Sequence, residues 1–181
     1  MLVKLIMVVG LLVAGISPAG NWKADAANAQ IDFTVEGIFG LVHGHFSGLQ
    51  ATIHFDEKDF SSSFFSASVE AKTVTTGISL RNSDLRNKEE WFNADKYPTI
   101  SFKSKKIEKS AKGYRAIGEL TIKGITKSVE IPFVFSRQAS TGVFKGEFTL
   151  LRMDYKLGNP GGSVGSTVTI ALTVPVTESN N

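Results

Sequence analysis

The 181-residue chain has 42% hydrophobic and 20% charged residues with 17 Gly and 5 Pro, which fits one folded domain and excludes collagen-like or wholly disordered character. Its formal charge is only +3 and its cations are scattered, so nucleic acid is not an expected partner. With no cysteine, disulfides, thiol catalysis and cysteine-based metal sites are excluded, and stability must come from burying apolar surface.

In chain order, Lys4 precedes an apolar run from Leu5 to Ile16 and the small residues Ser17, Pro18 and Ala19. This pattern predicts a signal peptide over residues 1–19, cleaved after Ala19. The run is shorter than the ~20 residues a spanning helix needs. A mature chain of residues 20–181, periplasmic or secreted and without a stable transmembrane anchor, is therefore expected.

Segments of period two follow. In QIDFTVEG, Ile31, Phe33 and Val35 share one face, and in FSGLQATIHF so do Leu49, Ala51, Ile53 and Phe55. FFSASVEA places Phe65, Ala67, Val69 and Ala71 together. Beyond a charged insert come TISFKSKKI, with Ile100 and Phe102, and YRAIGELTIK, with Leu120, leading to a Lys123-Gly124 turn. SVEIPFVF carries Val129, Ile131, Phe133 and Phe135 on one face, with Pro132 marking an edge, a bulge or a weakly paired position. VFKGEFTLL and STVTIALTVPV contribute Phe144, Phe148, Leu150, Val168, Ile170, Leu172 and Val174.

About eight alternating strands predict an all-β antiparallel fold, either a sandwich or a barrel. Thirteen Phe, most on the inward parity, fit a solid core or a cavity for an elongated apolar guest.

The insert RNSDLRNKEEWFNADKYPTISF has local logic of its own. Asn87 can cap a short helix whose third residue is Glu90, Leu85 and Phe92 can share a face, and Tyr97-Pro98 returns the chain to strand. A short helical crossover near residues 82–96 is expected, with Trp91 and Phe92 turned inward.

Chemical motifs are sparse. His43 and His45 point the same way in an extended chain but lack a third ligand nearby, so no metal site is expected. LGNPGGSVGS lacks the Lys and following helix of a phosphate loop. No nucleophile, base and orienting group assemble, and neither a cofactor nor an enzymatic activity is expected.

Taken together, GNWKADAANAQIDFTVEG, GHFSGLQATIHFDEKD, the insert with its KYPTISF ending, and GELTIKGITKSVEIP resemble the YceI-like family of exported proteins, from Trp22 to about Val176. The resemblance implies an extended, lipocalin-like, eight-stranded antiparallel barrel. It also implies a guest, an isoprenoid chain of quinone or prenyl-phosphate type held in the apolar interior for sequestration, transport or storage. By position, Arg81, Leu85, Trp91, Phe92, Tyr97, Pro98, Ile100 and Phe102 match the family's insert, while Asn82 and Asp84 stand where the family has Asp and His. The expected cavity residues are Phe33, Val35, Ile53, Phe55, Val69, Trp91, Phe92, Ile100, Phe102, Leu120, Ile131, Phe133, Phe135, Phe148, Ile170 and Leu172. The competing reading is a solid-core protein of envelope stress or protein interaction, for which Phe133→Trp would overpack the interior. An enzyme using His43, His45 and Asp84 is a third alternative, and a homodimer stays open.

Overall fold

Alternating side chains curl into one closed antiparallel sheet in the computed structural model, which describes residues 20–179 and so leaves the expected leader outside it. The strands are β1 (Asn21–Ala24), β2 (Gln30–Gly37), β3 (Gly40–Phe46), β4 (Gln50–His54), β5 (Phe64–Glu70), β6 (Thr99–Ser110), β7 (Gly113–Ile122), β8 (Ile125–Gln138), β9 (Thr141–Leu151) and β10 (Val164–Glu178). Helix α1 (Ser79–Asn87) lies between β5 and β6. Eight strands, β1 and β4 to β10, form the ring, because β1 pairs with both β4 and β10. Two strands of the ten, β1 and β3, were not expected from the sequence.

The fifteen-residue β10 explains the extra pair. One edge of β10 runs along β9 from Thr167 to Thr177, while the other meets β2 at Val168 to Thr173 and then β1 at Val176 to Glu178. The β2–β3 hairpin therefore extends the wall at one end, which we call the upper end. There, among the described residues, β3 has no strand partner on its outer edge beyond a single bridge between His45 and Thr75. The crossover fills that seam.

The expected helix near 82–96 is displaced: α1 ends at Asn87, and residues 88–97 are mostly turns. The supposed Asn87 cap is instead the last helical residue. Asn82 helps to set this position, because its amide oxygen accepts from the Thr76 N–H and hydroxyl at 2.8 Å each and its nitrogen donates to Thr75 Oγ1 at 3.1 Å. Arg86 donates to the Val74 carbonyl at 2.7 Å, and the Phe92 N–H donates to the Leu85 carbonyl at 3.0 Å. Leu85 and Phe92 thus do meet on one side, through a turn rather than along a helical face.

At the lower end the interior is solid. Phe55, 1% exposed, has the rings of Phe60, Phe65, Tyr114, Phe133, Phe135 and Phe144 around it at centroid distances of 5.0–6.2 Å. Trp22 closes this plug, donating its indole N–H to the Phe55 carbonyl at 3.0 Å and packing edge-on against Phe135. Edge-to-face pairs add about 0.5–1.5 kcal/mol each beyond area burial.

Two details show how the backbone accommodates the closure. A bulge between Ser104 and Lys106 bends β6 where Gly118 faces it, and a Cβ at 118 would meet the Lys103 carbonyl and the Ser104 backbone. Pro132 sits at the changeover in β8: the β7 ladder ends at Phe133, where the β9 ladder begins. Its missing N–H therefore costs little.

Candidate functional site

Above the aromatic plug the barrel is hollow. An almost wholly apolar cavity of about 420 Å³ is enclosed by the inward side chains of the upper strands and by the crossover. Fourteen of the sixteen expected residues line it: Phe33, Val35, Ile53, Val69, Trp91, Phe92, Ile100, Phe102, Leu120, Ile131, Phe133, Phe148, Ile170 and Leu172. Phe55 and Phe135 do not. They share the inward parity, but their places along the barrel axis put them inside the plug, where ring meets ring and no space is left. Phe133 is both floor and plug, since it lines the cavity and packs on Phe65 at 5.3 Å.

The wall has members that the sequence did not single out. Val42 and Phe46 alternate along β3, a signal hidden by attention to the histidines between them. Gly44 interrupts that alternation because the Phe33 ring covers it. Arg152 opens a short 3-10 turn after β9, Arg152–Tyr155, and Leu157 follows it, where no strand alternation could point to them.

The crossover roofs the cavity. The Gly158 N–H donates to the Glu90 carbonyl at 2.5 Å, and Trp91 packs beside Gly158 and Arg152. Phe92 meets Phe46 edge-on at 5.5 Å. On the remaining side, between α1 and the β2–β3–β10 wall, Thr76, Arg81 and Asp84 reach the cavity beside Val35, Val42 and Val164. Three polar side chains collect here, and we call this seam the mouth. Asp84 pairs with Lys88 at 3.0 Å, whereas the half-buried Arg81 has no hydrogen bond, ion pair or ring contact among the described residues. Asn82, which stands where the family has Asp, is turned away to hold Thr75 and Thr76.

Arg152 is a second arginine on the wall, 4% exposed and caged by main-chain oxygens. It donates to the carbonyls of Gly165 (2.9 Å), Leu157 (2.6 Å), Val164 (2.8 Å) and Asn159 (3.4 Å), and its fifth N–H points at the Met153 sulfur. Its donors are spent on the glycine-rich loop. It holds that loop in place and has none left for a guest.

Nearby, Tyr155 is 1% exposed and its hydroxyl has no partner among the described residues. Burial pushes that hydroxyl up to about 12, and the charge of Asp154 adds to the shift. Tyr114 is also held at about 12, by burial first and then by its hydrogen bond to Glu57. A raised folded pKa leaves stability intact below the unfolded value near 10 and removes it as pH rises towards 12. Tyr155→Phe should lessen the loss of stability over that range and add about 1 kcal/mol at neutral pH, since an unsatisfied buried hydroxyl is removed. Urea unfolding at pH 7 and at alkaline pH checks both expectations.

His43 and His45 lie on the exposed side of β3, and His43 bonds Thr34 at 3.1 Å. Among the described residues no three His, Asp or Glu groups stand close enough to hold a metal ion.

A family model described as a YceI-like domain matches residues 22–176. A UPF0312 protein from Yersinia enterocolitica is 30% identical over 124 residues, which cover 67% of this chain and 64% of that protein. One from Serratia proteamaculans is 31% identical over the same shares. The chain thus spans just under two thirds of the length of these curated relatives. In fold it is similar to Burkholderia cenocepacia BcnA, with a TM-score of 0.80, 24% identity, and coverage of 86% of this chain and 100% of that one. It is likewise similar to a polyisoprenoid binding domain from Saccharophagus degradans, with a TM-score of 0.70, 14% identity, and coverage of 88% and 99%.

Proposed function

The chain belongs to the YceI-like domain family, and from that membership and the hollow upper barrel we propose an exported lipid-binding protein that encloses an isoprenoid chain. The cavity carries the reading: about 420 Å³ walled by aliphatic and aromatic side chains with few polar groups. By the scale on which a dry cavity of ~150 Å³ takes a benzene ring, this space takes about three five-carbon units. Each unit, at ~0.8 kcal/mol per methylene equivalent, offers on the order of 4 kcal/mol gross, of which ordering the chain takes part back. The Saccharophagus degradans domain, a polyisoprenoid binder of like fold, supports the same class of guest. A solid-core protein is the weaker reading, because only the lower half of the barrel is filled.

The natively purified protein is expected to release isoprenoid lipid into organic solvent, detected by mass spectrometry. Added isoprenoid should change Trp91 fluorescence and leave Trp22 unaffected, because Trp91 lines the cavity and Trp22 is sealed in the plug. Leu172→Trp replaces the Phe133 test, since Leu172 faces open space and Phe133 faces packed rings. This variant should fold with an almost unchanged Tm and hold at least about tenfold less lipid. Equal retention by the variant would show that the guest lies elsewhere.

The mouth bears on which isoprenoid is held. Arg81, whose guanidinium has no partner among the described residues and stands beside an apolar cavity, favours a phosphate head over a quinone ring. Arg81→Gln is expected to weaken prenyl-phosphate binding about tenfold and quinone binding little, read by Trp91 titration. Export itself rests on the leader pattern, and N-terminal sequencing of the mature protein should begin at Gly20.

A further inference from the structure

Five of the eight exposed large apolar side chains among the described residues gather at the cavity mouth. They are Ile38 (66% exposed), Phe39 (101%) and Leu41 (65%) at the β2–β3 turn, with Ile78 (50%) and Leu80 (75%) at the start of α1. Although separated in sequence, both segments adjoin residues that line the cavity, Val35 and Val42 beside the turn and Arg81 and Asp84 beside Leu80. The antiparallel bridge between His45 and Thr75 sends the chain after Thr75 back along β3, towards the hairpin tip.

The turn is unusual in its chemistry. Tight turns favour polar residues and glycine, yet Ile38 and Phe39 lie between Gly37 and Gly40. Gly40, at φ +113°, supplies the conformation that the turn requires, so the two apolar side chains are not there to make it. Phe39 has the highest exposure of the large apolar side chains among the described residues, and Ile38 beside it is two-thirds exposed.

We propose that this rim is a membrane-docking element, through which the lipid passes between bilayer and cavity. This rests on the lipid-binding reading above. The same two segments present Val35, Val42, Arg81 and Asp84 to the cavity, so a tip sunk in the headgroup layer would place the mouth against the membrane. Apolar surface then continues from acyl chains to cavity wall. A bilayer fits the geometry better than a protein does. A two-residue projection and the first turn of a helix are too small for a stable protein interface of ~1,000 Å² or more, whereas interfacial binding needs only apolar side chains of this kind beside a cation. Arg81, without a side-chain partner among the described residues, supplies that cation for lipid phosphates.

The test uses the mature protein, residues 20–181, mixed phosphatidylcholine and phosphatidylglycerol vesicles carrying a dansyl-labelled farnesyl lipid, and the double variant Ile38→Ser, Phe39→Ser, with Leu80→Ser as an independent second variant. Both are expected to sediment with vesicles about tenfold less and to take up the labelled lipid about tenfold more slowly, read by energy transfer from Trp91, while affinity for detergent-solubilised farnesol stays unchanged. Unchanged uptake in both variants would overturn the proposal. So would loss of farnesol affinity, which would make the tip part of the site, or a homodimer dissolved by these substitutions, which would make a second copy the occupant. Should the wild type take no isoprenoid from any source, the lipid-binding reading fails, and vesicle sedimentation still reports on docking by itself.

Discussion

Phe55→Ala is expected to lower the stability of the barrel by about 3–5 kcal/mol, a large part of what a domain of this size has to lose. Phe55 is 1% exposed and sits at the hub of the aromatic plug, with Phe60, Phe65, Tyr114, Phe133, Phe135 and Phe144 around it. Five of those neighbours, all but Phe60, are pinned by strands β5, β7, β8 and β9, so they cannot collapse into the space that the ring leaves. Leu172→Ala offers the contrast. Its side chain borders the cavity, so fewer contacts are lost and about 1–2 kcal/mol is expected, below the usual range for a filled core. Urea denaturation of the two lipid-free variants measures the difference. Equal losses would mean that the upper barrel is packed as tightly as the lower.

Arg152→Met should cost about 2–4 kcal/mol and loosen one segment in particular. Removing the guanidinium relieves the desolvation of a buried charge, which by itself favours the variant. Against this, the carbonyls of Leu157, Val164 and Gly165 lose their donors, and an unsatisfied buried carbonyl costs about 1–3 kcal/mol. The Asn159 carbonyl belongs to an exposed residue and can turn to water, which keeps the net loss below the full sum. Arg152→Lys recovers only part, since one ammonium cannot reach both sides of the loop as the planar fork does. Hydrogen exchange should quicken at residues 157–165 and beside Trp91, and change little in the plug. A uniform change would mean that Arg152 acts on the whole fold instead of the loop.

How much of this was legible follows from the range over which each signal acts. Eight strands could be read because alternation is local, and their inward faces, from Ile31 to Val174, stand as expected. Strand β1 is only four residues long, and β3 is broken at Gly44 on its inward face, so neither offered enough alternation. The capping pattern at Asn87 and Glu90 was a real local preference. It lost to Asn82, Arg86 and Phe92, whose bonds to Thr76, Val74 and Leu85 hold the helix earlier in the chain.

The amino-acid sequence by itself determined the class of fold, the parity of its strands and the family, because pleat and motif spacing repeat over a few residues. Only the tertiary structure decided that Phe55 and Phe135 fill the barrel while Ile170 and Leu172 face a cavity. Parity tells inside from outside, but position along the axis depends on the stagger between strands. The mouth was decided the same way, since Arg81, Val42 and Val164 meet only because β10 divides its edge between two partners and the crossover must close the seam that results.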